Sequence, residues 1–357
     1  MKKNFVQLSN LLLGSCLALL WACGGAEQQT AQTNETTPTK DSVVNVYTHR
    51  HYDADKQLFE TFTKQTGIKV NVVQADADPL MKRMEDEGQN SPADLLITVD
   101  AARLFRAKEK GLLQPFNSAT IEQQIPAYLQ DEDNYWVALT RRARVIVYDK
   151  TKVKPEQLST YQSLTDAKWK GKILIRSSDN VYNQSLLAAI VAHQGEEKAK
   201  KWAEGVVKNF AREPKGNDTD QLKALLAGEG SLAVVNTYYV GKMFTSQEAD
   251  LKEASQKLGV AFPVIEGKGT HFNISGVGIA KYAPNKEFAV RLLEFLTSAE
   301  AQQVFAEANQ EYPANQSVAP SATLQSFGTF QADTLNLNLL GKFNSNAVMV
   351  FDQAKWK

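Results

Sequence analysis

Trp136-Val-Ala-Leu-Thr-Arg-Arg-Ala-Arg-Val-Ile-Val-Tyr148 is the stretch that decides the fold. It is rich in β-forming residues, has no helical period, and outruns the usual strand of about five to six residues. That length suits a strand leaving one lobe and entering a second. Before it, residues 43–47 alternate as a strand, and an amphipathic helix from Asp53 carries Leu58, Phe59 and Phe62 and stops near Gly67. Residues 68–73 read as a second strand, Leu80, Met81 and Met84 as a second helix, 94–100 as a buried strand and 101–110 as a helix closed by Gly111. That β-α-β-α-β-α order implies a parallel sheet covered on both faces.

Beyond the long strand the pattern repeats. A strand over 172–175, helices over 184–193, 196–209 and 218–227, and a strand over 231–235 make a second α/β unit. Residues 260–264 and 272–280 are extended and suited to carry the chain back. Residues 285–305 give two helices, whereas 327–357 hold Leu335, Leu337, Leu339 and Leu340 without a clear period. Two α/β lobes hinged by extended crossing strands describe a clamshell that closes on a ligand. The expected division is 42–138 with 273–320, and 139–272 with 321–357.

Bulk properties fit this plan. A chain of 357 residues exceeds what one core usually serves, and 43% hydrophobic with 22% charged residues argues against global disorder. Basic and acidic residues number 40 each, so no cationic excess exists to neutralise nucleic acid. Residues 1–23 read as a lipoprotein signal peptide: Lys2 and Lys3 precede an apolar core over 11–20, too short for a stable membrane span. Leu20-Trp21-Ala22-Cys23 resembles a bacterial lipobox and predicts a lipid anchor on Cys23, with ordinary cleavage nearby as the alternative because Trp21 is atypical. Cys16 falls inside the leader, so the mature chain has no disulfide and no basis for thiol catalysis or a zinc thiolate site. Polar residues 24–41 read as a disordered tether. An exported, lipid-anchored monomer in the periplasm or cell envelope is the expectation.

The candidate site rests on tyrosines. Tyr238 and Tyr239 end the apolar run that begins at Val234, at the carboxyl end of a strand, where α/β folds hold ligands. His51-Tyr52 follows the first strand and Tyr182 follows the strand over 172–175. Ionising a phenol at pH 7 costs about 4 kcal/mol, from roughly three units at 1.36 kcal/mol each. Zn²⁺ and Ca²⁺ find better donors elsewhere, whereas small, triply charged Fe³⁺ offsets that cost. Arg142 could favour phenolates and balance excess ligand charge.

The blander readings are that each tyrosine is a half-buried packing residue, His51 faces solvent, and Arg141-Arg142-Ala-Arg144 is a solvated strand face. Adjacent strand residues also point to opposite faces, so both tyrosines meet one metal only if the chain leaves β geometry between them, as Gly241 would permit. Asp86, Asp94 and Asp100 read as caps and solvated faces, and Gly276-Val-Gly278 as part of a crossing strand. Alternative functions on these lobes are oxoanion or polyamine binding, or an enzyme.

Together, His51-Tyr52, Arg141-Arg142-Ala-Arg144, Arg176-Ser-Ser-Asp-Asn-Val-Tyr182, Arg212-Glu-Pro-Lys-Gly-Asn-Asp-Thr and Asn236-Thr-Tyr238-Tyr239 resemble the bacterial ferric-iron-binding periplasmic proteins. The resemblance runs from about Val43 to Lys357. It implies a type II periplasmic-binding-protein clamshell, transferrin-like, that serves an ABC permease in the inner membrane and catalyses nothing. It implies Tyr238 and Tyr239 as paired Fe³⁺ ligands and, in the tyrosine-rich branch, Tyr52 and Tyr182 as the others. His51 matches a histidine that is a ligand in some members and swung aside in others. Arg142 matches an arginine near the iron that holds carbonate or a similar anion where one is used.

Overall fold

The computed structural model describes residues 42–357; the leader, Cys23 and the tether lie outside the described residues. In chain order the strands are β1 (Val43–Thr48), β2 (Lys69–Gln74), β3 (Leu95–Val99), β4 (Leu113–Gln114), β5 (Trp136–Asp149), β6 (Ile173–Leu174), β7 (Leu232–Asn236), β8 (Leu258–Ala261), β9 (Phe272–Ala280) and β10 (Tyr312–Pro313). β1 pairs in parallel with β2 on one side and β3 on the other. The helices Asp53–Thr66, Ala77–Glu87 and Ala101–Glu109 follow these three strands, as the alternation required. β3, with the sequence LLITV, is buried throughout because β1 and β9 flank it, which suits an unbroken apolar run. β2 is the edge strand, and polar Lys69, Asn71 and Gln74 keep it wet. Gly67, at φ 74, ends the first helix in the left-handed region that glycine adopts without strain.

β5 is one continuous strand serving two parts of the sheet. Trp136 to Ala143 run antiparallel to β9, whereas Arg144 to Tyr148 pair with β7 and Ile146 to Asp149 with β8. The register slips between Ala138 and Thr140, a bulge of the kind that bends a strand. β9 returns over the range its sequence predicts. Its Gly276 and Gly278 lack Cβ atoms because Leu104 and Leu113 side chains and the Val137 and Tyr135 carbonyls stand within 2.8 Å of where those atoms would be.

Three readings need correction. The helix expected over 184–193 begins three residues earlier and spans Val181–Gln194, because the Asn180 side chain caps it through the Tyr182 N–H. It is apolar nearly all round; Leu186, Leu187 and Ile190 are buried, each contributing about 1.5–3 kcal/mol. The unassigned tail forms the helices Asn338–Lys342 and Asn344–Ala354. Asp100 does cap the helix Ala101–Glu109, accepting from the Ala102 N–H, but it and Asp94 are fully buried, not solvated, because donors surround them: Asp94 accepts from Asn45 and Asn285, and Asp100 also from Ser185 and Asn273. Among the described residues no helix is long and apolar enough to cross a membrane.

Candidate metal centre

Three helix N-termini deliver the tyrosines. Tyr52 is the extended N-cap residue of Asp53–Thr66, Tyr182 is the second residue of Val181–Gln194, and Tyr238 and Tyr239 are the second and third residues of Thr237–Phe244. The chain leaves β geometry after Asn236, before the tyrosine pair, and the Thr237 hydroxyl accepts from the Ala143 N–H at 3.2 Å to pin the new helix to β5. Neighbouring residues on a helix are about 100° apart rather than opposed. The two rings accordingly lie together, with centroids 4.2 Å apart. Gly241 makes no turn; it sits inside the helix, where a Cβ would come within 2.7 Å of the Gln310 Cβ. Its role is close approach.

The Tyr182 and Tyr238 hydroxyl oxygens are 3.2 Å apart. Tyr238 is buried, and its pKa rises well above the usual 10, first through burial and then through the charges that Tyr182, Tyr52 and Tyr239 would carry as phenolates. Burial likewise raises Tyr52, followed by Glu311, Tyr182 and Tyr239, and raises Tyr239, followed by Tyr182 and Asp218. Four phenols therefore share one electrostatic neighbourhood. Without a cation, Tyr52, Tyr238 and Tyr239 stay protonated at neutral pH. Each tyrosine springs from a helix N-terminus, whose partial positive charge favours an anion near it by about 0.3–1 kcal/mol.

Arginines surround the other side. The guanidinium carbons of Arg142, Arg144 and Arg176 lie 5.6, 5.9 and 5.5 Å from the Tyr182 ring centroid. Arg144 is held by Asp218 at 2.7 Å and by Asn183 at 2.8 Å. Arg142 is different: it is 1% exposed, its three nitrogens have no hydrogen-bond acceptor among the described residues, and Asp100 approaches only to 3.9 Å. A guanidinium so placed is costly unless its field is used. It borders a cavity of about 10 Å³ lined also by Asp100, Arg144, Tyr182, Asn236, His271 and Asn273. The solvated-face reading is thus excluded for Arg142 and Arg144, both buried.

His51 stands apart. It is exposed, its Nδ1 is 3.5 Å from the His49 carbonyl, and its ring is 5.8 Å from that of Tyr52. Sequence reasoning missed Lys242, whose ammonium lies 4.3 Å from the Tyr52 ring centroid and 5.9 Å from that of Tyr238. It stands one helical turn after Tyr238, a relation visible only once 237–244 is helical. Asp218 was missed too, although Asn217 and Asp220 form a capping box that marks the helix it begins.

Among the described residues no group of three or more His, Cys, Asp or Glu side chains could hold a metal. Phenolate oxygen is what this cleft offers, and that donor suits a small, hard, highly charged cation. A sequence model of bacterial extracellular solute-binding proteins matches residues 57–332. The chain belongs to that family.

This solute-binding protein is 48% identical to iron uptake protein A1 of Synechocystis over 339 residues, covering 95% of this chain and 93% of the relative. A solved structure of a Trichodesmium protein in complex with iron and citrate ligands is 47% identical, with TM-score 0.85, covering 88% of this chain and 100% of that one. The ferric binding protein from Campylobacter jejuni is 41% identical, with TM-score 0.83 over 88% of this chain and 100% of its own. The fold of this solute-binding protein is thus the periplasmic-binding-protein clamshell, as the crossing strands implied.

Proposed function

We propose that this protein binds ferric iron through Tyr52, Tyr182, Tyr238 and Tyr239 and delivers it to an ABC importer. The observation that carries the reading is the convergence of four phenols from three helix N-termini, with the Tyr182 and Tyr238 oxygens 3.2 Å apart. Four phenolates around Fe³⁺ leave a net charge of minus one, which the field of Arg142 and Lys242 offsets. Carbonate beside Arg142 is not needed on this count, and the cavity there has room for about one water. His51 is not a ligand in this reading.

The lobes are proposed as 42–138 with 273–320 and 139–272 with 321–357. The passage of β5 from β9 to β7 between Ala143 and Arg144 falls close to that division. Opening of the lobes would part Tyr52 from the other three, closure would restore the arrangement seen here, and a permease in the inner membrane would recognise the closed form. The protein acts as a monomer held in the periplasm by a lipid on Cys23, and it catalyses no reaction.

Adding ferric citrate to the purified protein is expected to produce a red-to-orange phenolate-to-iron charge-transfer band. Replacing Tyr238 and Tyr239 by Phe should abolish or strongly shift that band, whereas His51→Ala should leave it near its native position. An unaltered spectrum in the double Phe variant would refute the assignment.

A further inference from the structure

Glu311 is 1% exposed, and its carboxylate collects donors from separate parts of the chain. Arg50 donates from Nη2 at 3.0 Å and from Nη1 at 3.4 Å, Thr140 from its hydroxyl at 2.8 Å, Ser275 from its hydroxyl at 3.5 Å and Asn309 at 3.4 Å. Arg50 is itself buried and forked onto Asp55, with Nε to Oδ2 at 2.9 Å and Nη2 to Oδ1 at 3.0 Å. Its guanidinium carbon lies 4.8 Å from the Tyr52 ring centroid.

Thr140 and Ser275 are register partners on β5 and β9, immediately after the slip at Ala138. One carboxylate therefore connects the support of Tyr52 to both crossing strands. Stability alone is a poor reason to keep it, because apolar replacements of buried ion pairs are often neutral or better. What a forked guanidinium adds is orientation.

We propose that Glu311 is a positioning residue for metal binding: through Arg50 it locks the Tyr52 loop to Thr140 and Ser275, so that the crossing strands set where the Tyr52 oxygen meets the metal. This rests on the reading of Tyr52 as a ligand. Glu311 does not touch the metal; it acts through Tyr52.

The experiment uses the full chain loaded with Fe³⁺ and reads the charge-transfer wavelength and the rate of iron loss to an excess chelator. Glu311→Gln and Thr140→Val are made alone and on a Tyr52→Phe background, with the thermal midpoint measured for each. Both single variants should move the band toward that of Tyr52→Phe and speed iron loss about 10- to 100-fold, the usual effect of losing an outer-shell partner. Neither should add to Tyr52→Phe in the double variants. Thr140→Ser, which keeps the hydroxyl, should rescue the Thr140→Val band. Should Glu311→Gln fail to fold, Thr140→Val carries the test. An unshifted band in the single variants, or an equal acceleration on the Tyr52→Phe background, overturns the proposal. If Tyr52→Phe itself changes neither readout, Tyr52 is not a ligand, and the ligand assignment falls with it.

Discussion

Binding of one ferric ion should release four protons. Tyr52, Tyr238 and Tyr239 have pKa values raised above 10, chiefly by burial, and Tyr182 shares its hydroxyl contact with Tyr238. Even an ordinary phenol costs about 4 kcal/mol to ionise at pH 7, so four cost about 16 kcal/mol before burial is counted. The sign follows from which form the metal takes. Iron takes phenolate and the free protein holds phenol, so affinity strengthens as pH rises and weakens as it falls. With four protons released, the binding constant should drop about four decades between pH 7 and pH 6. Titration calorimetry in buffers of different ionisation enthalpy counts the protons, and chelator competition at the two pH values gives the slope after correction for the chelator's own protonation. Tyr52→Phe should lower the count to three. Release of two protons or fewer, or a count unchanged in that variant, would refute the four-phenolate site.

Gly241→Ala should destabilise the protein by about 1–3 kcal/mol, the usual cost of overpacking, because the new methyl meets Gln310 at 2.7 Å. Thermal unfolding at the native midpoint would show that Gln310 yields freely and that the approach is loose. His271, buried and beside Arg144 and Arg142, has a pKa lowered to about 3, with burial the larger cause. Its folded value lies below the ordinary one, so its contribution is whole above about pH 6.5 and is lost as pH falls, at about 1.4 kcal/mol per unit. Denaturant unfolding at pH 7 and pH 5 should find His271→Asn less acid-sensitive than the native chain, with His49, lowered to about 4, keeping a residual slope of the same sign. Equal acid sensitivity in the two proteins would show that His271 does not carry the effect.

Local pattern determined much of this protein. The run Trp136 to Tyr148 could be neither a helix nor an ordinary short strand, and periodic apolar residues such as Leu58, Phe59 and Phe62 marked helices whose positions hold to within a turn. Residue chemistry also narrowed the site, since tyrosines placed after three strands left few cations that could repay ionising them. What tertiary structure decided is where those groups stand relative to one another. The apolar run from Val234 looks like strand by local pattern, yet Thr237 to Phe244 is helix, and its first residue is tied to Ala143 across 94 positions of sequence. Charges at Arg142, Asp94 and Asp100 read as solvated from local sequence, because burial of a charge is stable only with partners that the sequence leaves far away. Arg50 and Glu311 are 261 residues apart in the chain and 3.0 Å apart in the fold. Spacing along a strand or helix reports neighbours within a few residues, and the metal centre is assembled from contacts such as that of Tyr182 with Tyr238, 56 positions apart.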